Sequence, residues 1–193
     1  ITISGHKIGG PKGVGALWVS PEILKKKAIV PIIFGGGQES GMRSGTENVI
    51  GIAGFGAAAK VGYEKLDEHI ASITAVHDKI VSVLSDAKRF PGVELNTPDG
   101  PAAPHILSIH MPMVRSEVML HSLSHAGIFV SSGSACSSNT GHGSYVLRAF
   151  GLDNREADCT IRVSIGAQNT LADADGFVEE FASALSSLVR MTR

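Results

Sequence analysis

Residues 105–131 read HILSIHMPMVRSEVMLHSLSHAGIFVS, and their pattern decides the fold class. His105 to His110 is a short apolar run suited to a strand, Ser116 to Ala126 carries helical spacing, and Gly127 to Ser131 is apolar and extended again. Strand, helix and strand in quick succession predict an α/β layer structure. Working outward, further strands are expected at about Val93 to Leu95 and Thr160 to Ile165, with helices at Ser144 to Phe150 and Thr170 to Met191. The last helix has Thr170 as its N-cap and Phe177, Phe181, Leu185 and Leu188 as its apolar stripe. Towards the N-terminus, Leu66, Ile70, Ile73, Val76, Ile80 and Leu84 recur at spacings of three and four. They predict one long or two consecutive helices from about Asn48 to Lys88, started near Thr46 and Glu47 and ended by Pro91-Gly92.

The first part of the chain is different. Thirteen of the 23 glycines lie within residues 1–56, where they punctuate short apolar runs and predict turns and close backbone approach rather than core. Ile1-Thr2-Ile3 starts an alternating β-type run, Gly15 to Ser20 reads as a strand, Pro21 to Lys27 as a polar excursion and Val30 to Phe34 as another apolar segment. A boundary is expected at residues 60–65, giving a first part over 1–62 and a small α/β domain over 63–193.

With 17 Lys+Arg against 18 Asp+Glu the net charge is −1, which removes the electrostatic case for nucleic acid or an anionic membrane. The chain carries neither a membrane-spanning apolar run nor a secretory signal at residues 1–20, so the expected compartment is cytoplasmic. Two cysteines, Cys136 and Cys159, are too few for a disulfide scaffold, and an important one is expected to act as a thiol.

Four segments could carry chemistry. In SGHKIGGPKG (4–13), Lys7 sits inside a glycine-rich turn at a strand end, where a ligand can approach closely. Such an amine can form a Schiff base, and Ser4 and His6 are suitable phosphate donors; the alternative is a surface lysine in a turn. In GGGQESGMRSGTEN (35–48), a glycine loop delivers Arg43, hydroxyls and a helix start, an arrangement suited to phosphate, unless Arg43 is spent on an internal ion pair. SSGSACSSNTGHGS (131–144) is rich in small residues and places Cys136 at its centre, a thiol suited to reacting in one place and discharging in another, or an incidental loop cysteine. Cys159 reads as a small core residue. In TIRVSIG (160–166), Arg162 stands between β-branched neighbours and points to the face opposite them, ready for a carboxylate or an ordinary salt bridge. His121 and His125 are spaced i, i+4 but lack a third ligand, so no metal site is expected.

In this order and at this spacing the four segments resemble the cysteine desulfurases of the IscS/NifS type, pyridoxal-phosphate enzymes of the class V aminotransferase group with fold type I. The resemblance runs over essentially the whole chain. It implies that Lys7 holds the pyridoxal 5'-phosphate, that Ser4 and His6 contact its phosphate, and that Thr46 reaches the phosphate bound by the other subunit of a homodimer. It further implies that Cys136 attacks the sulfur of L-cysteine, leaving alanine and an enzyme persulfide, and that Arg162 clamps the substrate carboxylate. Ser144 lies eight positions after Cys136, so the loop is similar to the longer one of that branch and could carry sulfur to an acceptor or an Fe–S scaffold protein. His105 stands where the family often has Asn. The family's N-terminal half, with a phosphate-binding turn, a ring-stacking His and an Asp on the pyridinium nitrogen, has no counterpart here. The chain therefore reads as a C-terminal half, residues 1–62 ending the large cofactor-binding domain and 63–193 forming the small domain. Selenocysteine lyase, and a non-catalytic fragment serving only in folding or binding, are the alternative functions.

Overall fold

A computed structural model describes residues 1–96, 102–132 and 144–191, and its contacts divide the chain into two units, Ile1–Leu66 and Asp67–Arg193.

In the first unit, strand β1 (Thr2–Ser4) pairs antiparallel with β2 (Gly15–Leu17), Ile3 opposite Ala16. A 3₁₀ turn over Gly5–Ile8 lies between them. Gly9 closes that turn at φ 83°, the left-handed conformation that glycine adopts without strain. The stretch Pro21–Lys25, expected as a polar excursion, is instead a short helix, α1. Its signals were Ser20, whose hydroxyl accepts from the Ile23 N–H at 3.4 Å, and proline at the first helical position. Helix α2 (Val49–Glu64) is capped by Asn48, whose Oδ1 accepts from the Gly51 N–H at 3.0 Å, so the helix starts after Thr46 and Glu47 rather than on them. Gly54 lets α2 lie against the 3₁₀ turn region: a Cβ there would come within 2.7 Å of Pro11 Cγ. The apolar segment Val30 to Phe34 joins no sheet and is largely exposed.

The second unit contains a four-stranded antiparallel sheet in the order β3 (Glu94–Leu95), β4 (Ile106–His110), β6 (Thr160–Ser164), β5 (Ser131–Ser132). Helix α3 (Leu66–Leu84) follows α2 after a break at Lys65, so the long helical stretch is two helices. Helices α4 (Ser116–His125), α5 (Tyr145–Ala149), α6 (Asn154–Asp158) and α7 (Leu171–Met191) complete the unit. The core joins Val76, Ile80 and Leu84 of α3, Met119 and Leu123 of α4, and Phe177, Val178 and Phe181 of α7 to Leu107, Ile109, Ile161 and Val163 of the sheet. Those four strand residues alternate in sequence, so they share one face.

Two expectations shift. The strand expected at Gly127 to Ser131 pairs only at its end, Ser131 and Ser132, because the residues before it finish α4: the Gly127 N–H donates to Ser124 O and the Ile128 N–H to Leu123 O. Helix α6 was not expected. Its capping box was legible as Asp153 and Glu156, each accepting the other's backbone N–H, at 2.9 and 2.7 Å. Among the described residues, no helix is long and apolar enough to cross a membrane.

Two tests follow from this packing. Phe181 is fully buried, 5.6 Å from the Phe177 ring and 6.1 Å from the Phe90 ring, so Phe181→Ala is expected to destabilise the chain by about 3–5 kcal/mol in denaturant titration. At the start of α7, the Asp173 carboxylate accepts from the Thr170 N–H at 2.8 Å and the Thr170 hydroxyl at 3.1 Å. These bonds, the backbone one first, hold Asp173 below the ordinary carboxylate pKa. The folded form is the better acid, so the stabilisation is complete above the unfolded pKa and is lost as pH falls through the folded one. Asp173→Asn is expected to flatten the acid limb of the melting-temperature profile and to lower the melting temperature at neutral pH.

Candidate active site

In the first unit, the antiparallel pair β1 and β2 fixes both ends of the turn that carries Lys7. The Gly5 N–H donates to Val14 O and the Gly10 N–H to Gly5 O, both at 2.9 Å. Gly5 is buried, and a Cβ there would meet Val14 O at 2.9 Å, so the backbone itself fills the base of the turn. Ser4, His6 and Lys7 all lie on its exposed surface, and among the described residues Lys7 forms no ion pair. A primary amine, an imidazole and a hydroxyl within four residues make a donor set suited to an aldehyde with an attached phosphate.

The glycine loop lies in the same unit. Of the two roles open to Arg43, an anion or an internal ion pair, the structure shows the internal one: it donates to the Gly45 carbonyl at 2.8 Å and faces Glu39 at 3.9 Å. Ser44 is buried, and its N–H donates to Ile33 O. Thr46 is exposed just ahead of α2, and its hydroxyl forms no hydrogen bond among the described residues.

In the second unit, Arg162 occupies the middle of β6, with Ile161 and Val163 buried on the core face and Arg162 on the other. Its Nε is buried and has no hydrogen-bond partner, and among the described residues it pairs with no carboxylate. Ser108 of β4 and Ser131 of β5 stand directly opposite it on either side. The alternation in HILSIH placed Ser108 on that face, yet Ser108 was not singled out from sequence. Farther along, His110 and Thr160 are buried under α6: the Thr160 hydroxyl donates to Glu156 O at 2.8 Å, and His110 Nδ1 lies 3.2 Å from the same oxygen. His105 is exposed at the edge of β4, its carbonyl accepting from the Ile165 N–H.

Cys136 and its loop, 133–143, lie outside the described residues. Cys159, expected in the core, is instead half-buried at the end of α6, where its carbonyl accepts from the Met111 N–H. Burial, then Asp158, raises its thiol pKa, against the smaller opposing pull of Arg115 and Arg155. It is expected to alkylate with iodoacetamide near neutral pH more slowly in the folded chain than in urea, read by peptide mass mapping. His121 and His125 are exposed on α4, and among the described residues no cluster of three metal-ligating side chains exists.

The first unit thus presents an amine turn with hydroxyl and imidazole donors, and the second a sheet-borne guanidinium with no counter-ion among the described residues. Residues 1–177 match the aminotransferase class-V family, and the chain belongs to it. It is 38% identical over 193 residues to cysteine desulfurase IscS 1 of Archaeoglobus fulgidus, spanning all of this chain and 48% of that protein. It is also 38% identical over 173 residues to a putative cysteine desulfurase IscS 1 of Bacillus subtilis, 88% of this chain and 44% of that one. Among solved structures, a NifS-like protein superposes with a TM-score of 0.81 at 35% identity, over 96% of this chain and 46% of the other. A NifS-like protein from Rickettsia africae gives 0.78 at 32%, over 96% and 47%. The chain spans about half the length of these relatives, and its mixed α/β fold is that of the NifS-like enzymes.

Proposed function

We propose that this chain is the C-terminal half of a cytoplasmic, pyridoxal-phosphate-dependent cysteine desulfurase, residues 1–62 closing its large domain and 63–193 forming its small one. The similarity to desulfurases along the whole chain supports this reading. The observation that carries it is Arg162, a guanidinium on a rigid strand whose buried Nε has no acceptor among the described residues, since a buried unpaired donor is costly unless a ligand satisfies it.

Lys7 supplies the amine that binds the cofactor aldehyde. Ser4 and His6 donate to its phosphate, and Thr46 donates to the phosphate of a second copy in a homodimer. When bound, the cofactor withdraws electrons from the substrate α-carbon and so weakens the bond from Cβ to sulfur. Arg162 receives the carboxylate of L-cysteine and holds the substrate in one orientation. The Cys136 thiolate attacks the substrate sulfur; the S–S bond forms as the C–S bond breaks, the electron pair goes to the carbon fragment, and protonation there gives alanine. The persulfide left on Cys136 is delivered to an acceptor or an Fe–S scaffold protein.

The test is absorbance with added pyridoxal phosphate, before and after borohydride, followed by peptide mapping, on this chain and on the longer polypeptide containing it. A reduced adduct on Lys7 of the longer polypeptide, and little or none on this chain alone, is the expected result; an adduct elsewhere or none on either overturns the assignment. In the longer polypeptide, Cys136→Ala is expected to lower alanine release from cysteine by roughly 10³-fold or more while leaving the Lys7 adduct intact.

A further inference from the structure

The polar face of the second unit's sheet carries a row of hydrogen-bond donors. In the register of β4, β6 and β5, Ser108, Arg162 and Ser131 are direct cross-strand partners, which brings their Cβ atoms to about 4.5–5.5 Å from one another across each strand pair. Ser108 is also tethered from its other side. Asn96 Nδ2 donates to Ser108 Oγ at 3.1 Å, and the Asn96 N–H donates to the Ser108 carbonyl at 2.9 Å. With its oxygen occupied by Asn96, the Ser108 hydroxyl has its hydrogen left to give, and among the described residues nothing accepts it. Arginine carries donors only, so it cannot satisfy that hydrogen, and among the described residues its own buried Nε–H has no partner. Two adjacent donors directed from neighbouring strands match the two oxygens of one carboxylate.

Resting on the reading of Arg162 as the carboxylate receiver, we propose that Ser108, oriented by Asn96, is the second donor to the same carboxylate. The site then takes an amino acid by both carboxylate oxygens, one on the guanidinium and one on the hydroxyl. Ligands without a free carboxylate lose both contacts, so Ser108 and Arg162 together set specificity for a carboxylate-bearing ligand.

The experiment is ligand-observed NMR titration of the 193-residue chain with 3-mercaptopropionate, which has the thiol and the carboxylate but no amine, against cysteamine, which has no carboxylate. The chain is expected to bind 3-mercaptopropionate, and cysteamine is expected not to compete. Ser108→Ala should weaken binding roughly tenfold, Ser108→Thr, which keeps the hydroxyl, should restore it, and Asn96→Ala should fall between. Thermal midpoints and far-UV circular dichroism check that each variant is folded; if Ser108→Ala does not fold, Ser108→Cys, a weak donor, makes the same comparison. Unchanged binding in a folded Ser108 variant, with loss in Arg162→Ala, overturns this proposal and leaves the Arg162 assignment standing. Binding that is indifferent to Arg162→Ala, or to the presence of the carboxylate, overturns both, as does the absence of binding to the unsubstituted chain.

Discussion

The antiparallel pairing of β4 with β6 is the constraint on which the second unit depends. A strand sends successive side chains to opposite faces, and here that rule separates structure from chemistry within five residues. Ile161 and Val163 enter the core with Leu107 and Ile109, while Arg162 and Ser108 are turned to the other face together. A slip of one residue would bury the guanidinium among α3, α4 and α7 and expose the isoleucine. The apolar core therefore enforces the register, and the register delivers the polar row.

The first unit lacks this balance. Its site residues rest on a small two-stranded frame, and much of its apolar surface faces outward: Trp18, Ile32, Phe34, Ile50 and Tyr63 are all exposed. Helix α2, apolar nearly all round, has the composition of a helix enclosed by other structure. Apolar surface of this extent marks association, and it supports the proposal that the unit is the end of a larger domain.

Much of this was legible in sequence, for identifiable reasons. The helices α3, α4 and α7 announce themselves by the spacing of their apolar residues, and β4 and β6 by apolar residues on either side of a polar one. The position of Lys7 within a glycine turn was plain because only glycines permit that close winding. What escaped were elements set by partners or caps. The chain around Phe129 is apolar like a strand, yet whether it pairs depends on where α4 ends and β6 begins. Helix α6 has too few apolar positions for periodicity to detect, although Asp153 and Glu156 spell its start. The start of α2 was legible to within a residue, at about Asn48, although Thr46 and Asn48 are both competent caps and only the backbone shows that Asn48 is the one that bonds. Ser108 was overlooked because a lone serine in an apolar strand has no signature until its cross-strand neighbour is known.

The contact between Gly54 and Pro11 has a mechanical meaning. Helix α2 can lie against the turn region because a hydrogen stands where any other residue would place a carbon too near the proline ring. The spacing between a long rigid rod and the backbone around Lys7 is thus set by a missing side chain, with a ring on one side and a helix backbone on the other, neither of which yields by rotating a torsion. A displacement of α2 at Gly54 is passed to the turn region at Pro11 with little lost to side-chain slack.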